Sequence, residues 1–153
     1  MWKDLWPLRD KTALFLVPPA KYREQESIAH RLPNTTVKDW RAEVLEAAAP
    51  SHRYVNSDVD AEIDRIRKIS ASDRKTFCLV NTEYFLVRFS RAERDRFWQT
   101  LWNGLPHATG VVVLFVLASQ EILPGSLELD RWRERGRLFV FEDVFMEAVD
   151  AEN

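Results

Sequence analysis

Glycine is nearly missing from this chain. Its 153 residues include four, Gly104, Gly110, Gly125 and Gly136, so none falls in the first 103 positions. A loop that wraps backbone amides around phosphates needs glycine at fixed positions, so neither G-x-x-x-x-G-K-[ST] nor G-x-G-x-x-G can be present. Cysteine is scarcer still. With Cys78 alone, a disulfide framework and a thiolate metal site are both impossible within one chain. The three histidines, His30, His52 and His107, are far apart and form no H-x-x-x-H pair. A calcium loop starting at Asp58 would need glycine and glutamate where Ile63 and Ile69 stand. No metal or cofactor is therefore expected. No apolar run approaches the ~20 residues that cross a bilayer. Met1 to Leu8 runs into charged Arg9, Asp10 and Lys11 without a secretory apolar core. A cytoplasmic protein with no membrane partner is the expectation.

Strong basicity is absent too. A net charge of −2 argues against a generally basic nucleic-acid surface, although local patches remain open. A hydrophobic content of 46% is enough for a real core, and the length suits one domain, here residues 1–153. We find no internal repeat and no low-complexity segment.

What is present is organised around Thr76 to Leu117. The runs Thr76–Val80 and Val111–Leu117 are apolar without alternation, as in parallel strands covered on both faces. Between them, Arg91 to Trp102 is amphipathic and opens with the capping box Ser90-x-x-Glu93, which makes a strand, crossover helix, strand unit. Before it come a strand at Thr12–Val17, a helix at Lys21–Leu32, a short strand at Thr35–Val37, and helices at Asp39–Ala49 and Asp58–Ile69 capped by Asn56 or Ser57. After it come a helix through Trp132 stopped by Gly136, a strand at Arg137–Phe141 and a helix at Glu142–Val149. Residues 1–11 read as a packing arm broken by Pro7, and residues 150–153 as a frayed acidic tail. This alternation predicts an α/β fold of three layers, with a mostly parallel sheet and flanking helices.

In such sheets ligands collect outside the carboxyl ends of the strands, which makes Asn81 and Glu83 the positions to test. Glu83 could serve as a base or metal ligand, but its neighbourhood supplies Asn81, Thr82 and Arg88 and no second acid or histidine. The expectation is a structural or interfacial carboxylate. Lys21, just after Pro18-Pro19, could meet an anion or simply be a solvated helix lysine. Cys78, in mid-strand, reads as an inert thiol, and Asp73-Arg74-Lys75 echoes a nuclease motif in only two residues. The positive signal is basic and aromatic interleaving. Arg88, Arg91, Arg94 and Arg96 surround Trp98 and Trp102, while Arg131, Arg133, Arg135 and Arg137 surround Trp132. Such mixtures stack on bases or anchor protein interfaces, so one of Trp98 and Trp102 is expected to be exposed.

Phe77 to Leu86, FCLVNTEYFL, resembles the hydrophobic strand and D-N-h-E-h-h-F segment of the small P-loop protein of bacteriophage-exclusion systems, with Val80 in place of the Walker B aspartate. Leu14 to Pro19 is similar to that family's first strand leading to G-P-P-G-x-G-K-T, with the phosphate-binding residues gone. The resemblance implies a P-loop-like fold with an eroded nucleotide site, kept as a subunit of an antiphage or DNA-associated complex. Three functions follow as expectations: a non-catalytic interaction subunit with protein partners, a single-stranded nucleic-acid-binding module using the Arg and Trp patches, and a metal-dependent nuclease or hydrolase around Glu83.

Overall fold

The structure is a computed structural model and describes residues 11–47, 58–105 and 108–141. The expected packing arm, acidic tail and last helix, together with His52 and His107, lie outside the described residues, apart from Lys11 of the arm.

Five parallel strands form one sheet: β1 (Thr12–Val17), β2 (Thr35–Asp39), β3 (Thr76–Val80), β4 (Val111–Leu117) and β5 (Leu138–Val140), in the order β2-β3-β4-β1-β5. The central three, β3, β4 and β1, are the ones with unbroken apolar runs, because each is covered above and below. Their side chains alternate between two cores. Leu14, Phe77, Leu79 and Leu114 face one way, while Phe15, Cys78, Val80 and Phe115 face the other. Phe15 and Phe115 are register partners and stack with centroids 4.4 Å apart.

Helices follow the same division. α1 (Gln25–His30) covers the second face with Ile28 and Ala29, joined by Leu32 just beyond it. The first face carries α2 (Trp40–Ala47), α3 (Val59–Ser72), α5 (Arg91–Asn103) and α6 (Ser126–Glu134). The chain passes from β1 to the far edge through α1, then returns across the sheet through the others. Right-handed crossovers require the change of face where direction reverses. The topology is of the Rossmann or P-loop kind, and the crevice at the reversal opens outside the carboxyl ends of β1 and β4.

Local chemistry moves some boundaries from those expected. The helix expected over Lys21–Leu32 begins as a 3₁₀ turn, Pro19–Glu24, because Pro18-Pro19 withholds two N–H donors and fixes a tight entry. The α3 cap is Asp58, whose Oδ1 accepts from Ala61 N at 2.7 Å, and not Asn56 or Ser57. A short helix, α4 (Glu83–Leu86), fills what reads in sequence as a loop. Gly110 is needed for close approach, since a Cβ there would lie 2.6 Å from Asp73 O and 2.8 Å from Lys75 O.

The amino edge of the sheet is tied together by Arg137, which is buried. Gly136, at φ +68°, ends α6 in a left-handed turn with Gly136 N bonding Arg133 O and Arg137 N bonding Trp132 O, and so turns Arg137 back under the helix. Its guanidinium donates to Thr12 O (2.9 Å) and Thr12 Oγ1 (2.6 Å) in β1, and to Leu101 O (2.9 Å) and Trp102 O (3.0 Å) near the end of α5. It also lies 4.8 Å from the Trp102 ring centroid and 4.1 Å from that of Trp132. A cation at a helix C-terminus is favourable, and here it adds donors to the last carbonyls of α5, of which Leu101 O also accepts from Gly104 N at 3.1 Å and Thr12 Oγ1 at 2.9 Å. Arg137→Met strips the guanidinium's donors from this buried cluster of acceptors, a loss of ~3–5 kcal/mol and a fall in Tm of about 10 °C. Arg137→Lys should recover only part of this, since a single ammonium cannot span the same acceptors. Urea denaturation measures both, and a Met variant within about 1 kcal/mol of the parent would remove Arg137 from this role.

Candidate functional site

Two places could carry function, the carboxyl edge of the sheet and a groove between α5 and α6. At the carboxyl edge, Asn81 leaves β3 with φ +65° and is buried. Its Nδ2 donates to Asp39 Oδ1 at 2.8 Å and its Oδ1 accepts from Gln25 Nε2 at 3.1 Å, while its own N–H donates to Gln25 Oε1 at 2.9 Å. Glu83, one turn on, accepts the Tyr22 hydroxyl. The 3₁₀ turn and the start of α1 thus lay Tyr22 and Gln25 over the end of β3. Thr82 Oγ1 donates to Phe115 O at 2.6 Å, and Ala118 N donates to Val17 O at 2.9 Å, which keeps β4 bonded to its neighbours at the mouth of the crevice.

Asp39 is the acid of this edge, and the sequence reading missed it along with Tyr22 and Gln25. It pairs in register with Val80, one strand away from the position where the resemblance would place an aspartate. Its Oδ1 also accepts from Arg41 N at 2.9 Å, and its Oδ2 lies 3.6 Å from Arg41 Nη2. Each polar group is therefore spent on a neighbour. Among the described residues no three His, Cys, Asp or Glu side chains are placed to share a metal ion. Asp58 caps α3 and Asp60 lies 3.7 Å from Arg96, so neither converges on Glu83. Asp73 and Lys75, 3.4 Å apart, sit at the amino end of β3, opposite Glu83. Burial pushes the Cys78 thiol up to about 12, against a weaker opposing hydrogen bond from Thr35, so no thiolate forms at neutral pH. Lys21 is exposed, 3.8 Å from Glu24, on a turn of six residues.

The aromatic and basic residues meet in the groove, and the structure corrects their expected exposure. Trp98, at 4% exposure, donates Nε1 to Ile122 O at 3.0 Å, and Trp132 is buried against Trp102 with centroids 5.4 Å apart. Trp102 is half-buried, its ring engaged by Arg137 and Trp132. The stripe on α5 is wide because the helix packs sideways on its neighbours as well as down on the sheet. Arg94 is no free cation either. It donates to Leu86 O (3.2 Å) and Phe89 O (2.6 Å), the carbonyls that α4 leaves open. Arg88, Arg91 and Arg131 remain exposed. Arg91, Trp98, Trp102, Arg131 and Trp132 together line the groove, a cavity of about 320 Å³.

Comparison with protein-family models, with curated proteins and with solved structures finds no match.

Glu83 gives this edge a pH dependence. Burial raises its carboxyl above the ordinary 4.5, with the bond to its own backbone N–H only partly opposing this. A carboxyl raised in the folded state binds its proton more tightly there than in the unfolded chain. Its contribution to stability is therefore complete below pH 4.5 and is lost as pH rises through the folded value. Glu83→Gln should remove this slope and match or exceed the parent's stability at pH 7. Urea curves for both proteins between pH 4 and 8 test it, and a variant clearly less stable at pH 7 would show that the charged form is the favoured one.

Proposed function

We propose that the chain is a non-catalytic interaction subunit, built on a P-loop-like fold whose nucleotide site is closed by the protein's own side chains. The observation that carries this is the Gln25–Asn81–Asp39 network, with Tyr22 on Glu83 beside it. A nucleotide at the carboxyl edge would have to displace these bonds and would find no cradle of backbone amides in exchange, because Pro18-Pro19 and a 3₁₀ turn stand where such a loop would start. The resemblance to the bacteriophage-exclusion P-loop protein supplies a setting, an antiphage or DNA-associated assembly in which the domain contributes surface instead of hydrolysis.

The single-stranded nucleic-acid reading loses support from the tryptophans. Trp98 and Trp132 are buried, and Trp102 already has a guanidinium over its ring, so base stacking on these three has little ring face to use. The metal-dependent hydrolase reading lacks a second carboxylate beside Glu83 that is not already engaged elsewhere. Calorimetry with ATP and magnesium should give no saturable heat up to millimolar ligand. Native purification should instead return the chain bound to another protein. Micromolar ATP binding would overturn the closed-site reading, and a chain that purifies alone would overturn the subunit reading.

A further inference from the structure

Charges of both signs line the groove, and among the described residues none of them closes an ion pair. α5 contributes Arg91 and Asp95, one turn apart, and α6 contributes Glu128 and Arg131, also one turn apart. Among the described residues none of the four has an ion pair within 4.0 Å. Elsewhere on this surface such pairs do close. Arg67 meets Asp64 at 3.2 Å, Arg133 meets Asp130 at 3.2 Å, and Arg96 on α5 reaches Asp60 on α3 at 3.7 Å. Among the described residues the four groove charges are thus left available in a concave, tryptophan-floored channel. Leu127, 74% exposed, stands one turn before Arg131 on α6, next in sequence to the groove residue Glu128.

We infer that this groove is the docking site for an amphipathic helical segment of a partner subunit, one carrying both acidic and basic residues along the edges of an apolar face. The inference rests on the interaction-subunit reading above. Charge complementarity selects the occupant. The carboxylates of Asp95 and Glu128 repel a phosphate backbone, whereas a helix with mixed charges can answer all four groups at once. The channel follows α5 from Arg91 to Trp102, ~16 Å at 1.5 Å per residue, which matches about three turns of a docked helix. The part of the half-buried Trp102 that Arg137 and Trp132 leave uncovered, too little for base stacking, and exposed Leu127 beside it on α6 are the apolar contacts for its buried face.

The test uses the full chain purified from its host with its bound partner. A photo-crosslinking residue replaces Gln99 in the groove or, as control, exposed Ser27 on α1 across the sheet. The expected result is a crosslink from position 99, and not from 27, to one segment of a partner subunit with the stated pattern. The double variant Arg91→Glu/Arg131→Glu should cut recovered partner at least tenfold, and Leu127→Asp should weaken recovery independently. Reversing acids to lysines in the crosslinked segment should restore binding to the double variant. Urea curves confirm that the variants fold. A partner retained at full yield by both variants, or crosslinked equally from Ser27, removes the groove inference while leaving the subunit reading standing. A crosslink abolished by nuclease, or one to a second copy of this chain, overturns the assignment of the groove to a partner subunit. Absence of any bound protein overturns both readings.

Discussion

One buried guanidinium sets the positions of most of what this fold displays. Arg137, at the junction of α6 and β5, ties both to the first residue of β1 and the end of α5 through hydrogen bonds from its guanidinium. Burying a cation is costly, and what offsets the cost here is dense satisfaction: carbonyl oxygens at a helix C-terminus, a hydroxyl, and two aromatic faces. Because Trp102 and Trp132 both rest on that cation, the angle between α5 and α6 is fixed, and with it the floor of the groove above them. The amino edge of the sheet works as a rigid mount. The carboxyl edge is held differently, by a relay of side-chain bonds through Gln25, Asn81 and Asp39 that could break one at a time.

How much of this was legible in the sequence depended on whether a residue's environment was local or assembled. β1, β3 and β4 have the bounds expected from their apolar runs, because a strand covered on both faces admits almost nothing else. β2 runs two residues further than Thr35–Val37. As an edge strand with one neighbour and intermediate exposure throughout, it can carry Lys38 and also Asp39, which the sequence reading places at the start of the following helix. The capping box of α5 forms as written, with Ser90 and Glu93 bonding each other's backbone N–H at 3.2 and 2.9 Å.

The site was less legible for the same physical reason. Counting arginines and tryptophans identifies a mixture but not its faces. Arg137 and Arg131 are equivalent in sequence, yet one lies inside the core and the other on a rim, because a left-handed glycine turn separates their environments. Gln25 and Tyr22 gave no signal, since their partners lie 56 and 61 positions away. The absence of glycine in the first strand-to-helix connection was a stronger indicator than any residue present. It excludes the glycine-built phosphate loops by itself, and Tyr22 and Gln25 from that connection bond to Glu83 and Asn81 beyond the end of β3.

The burial of Cys78 has a practical side. As the chain's one thiol, shielded on a strand next to the middle of the sheet, it cannot react with a bulky reagent unless β3 comes away from its covering helices. Its labelling rate is then a clock for the opening of the core. Modification that stays slow while the carboxyl edge exchanges its amide protons quickly would mean that the edge opens as a separate unit. Labelling and exchange that advance together would mean that the sheet has one gate, and that disturbing Asn81 at its rim is felt at its centre.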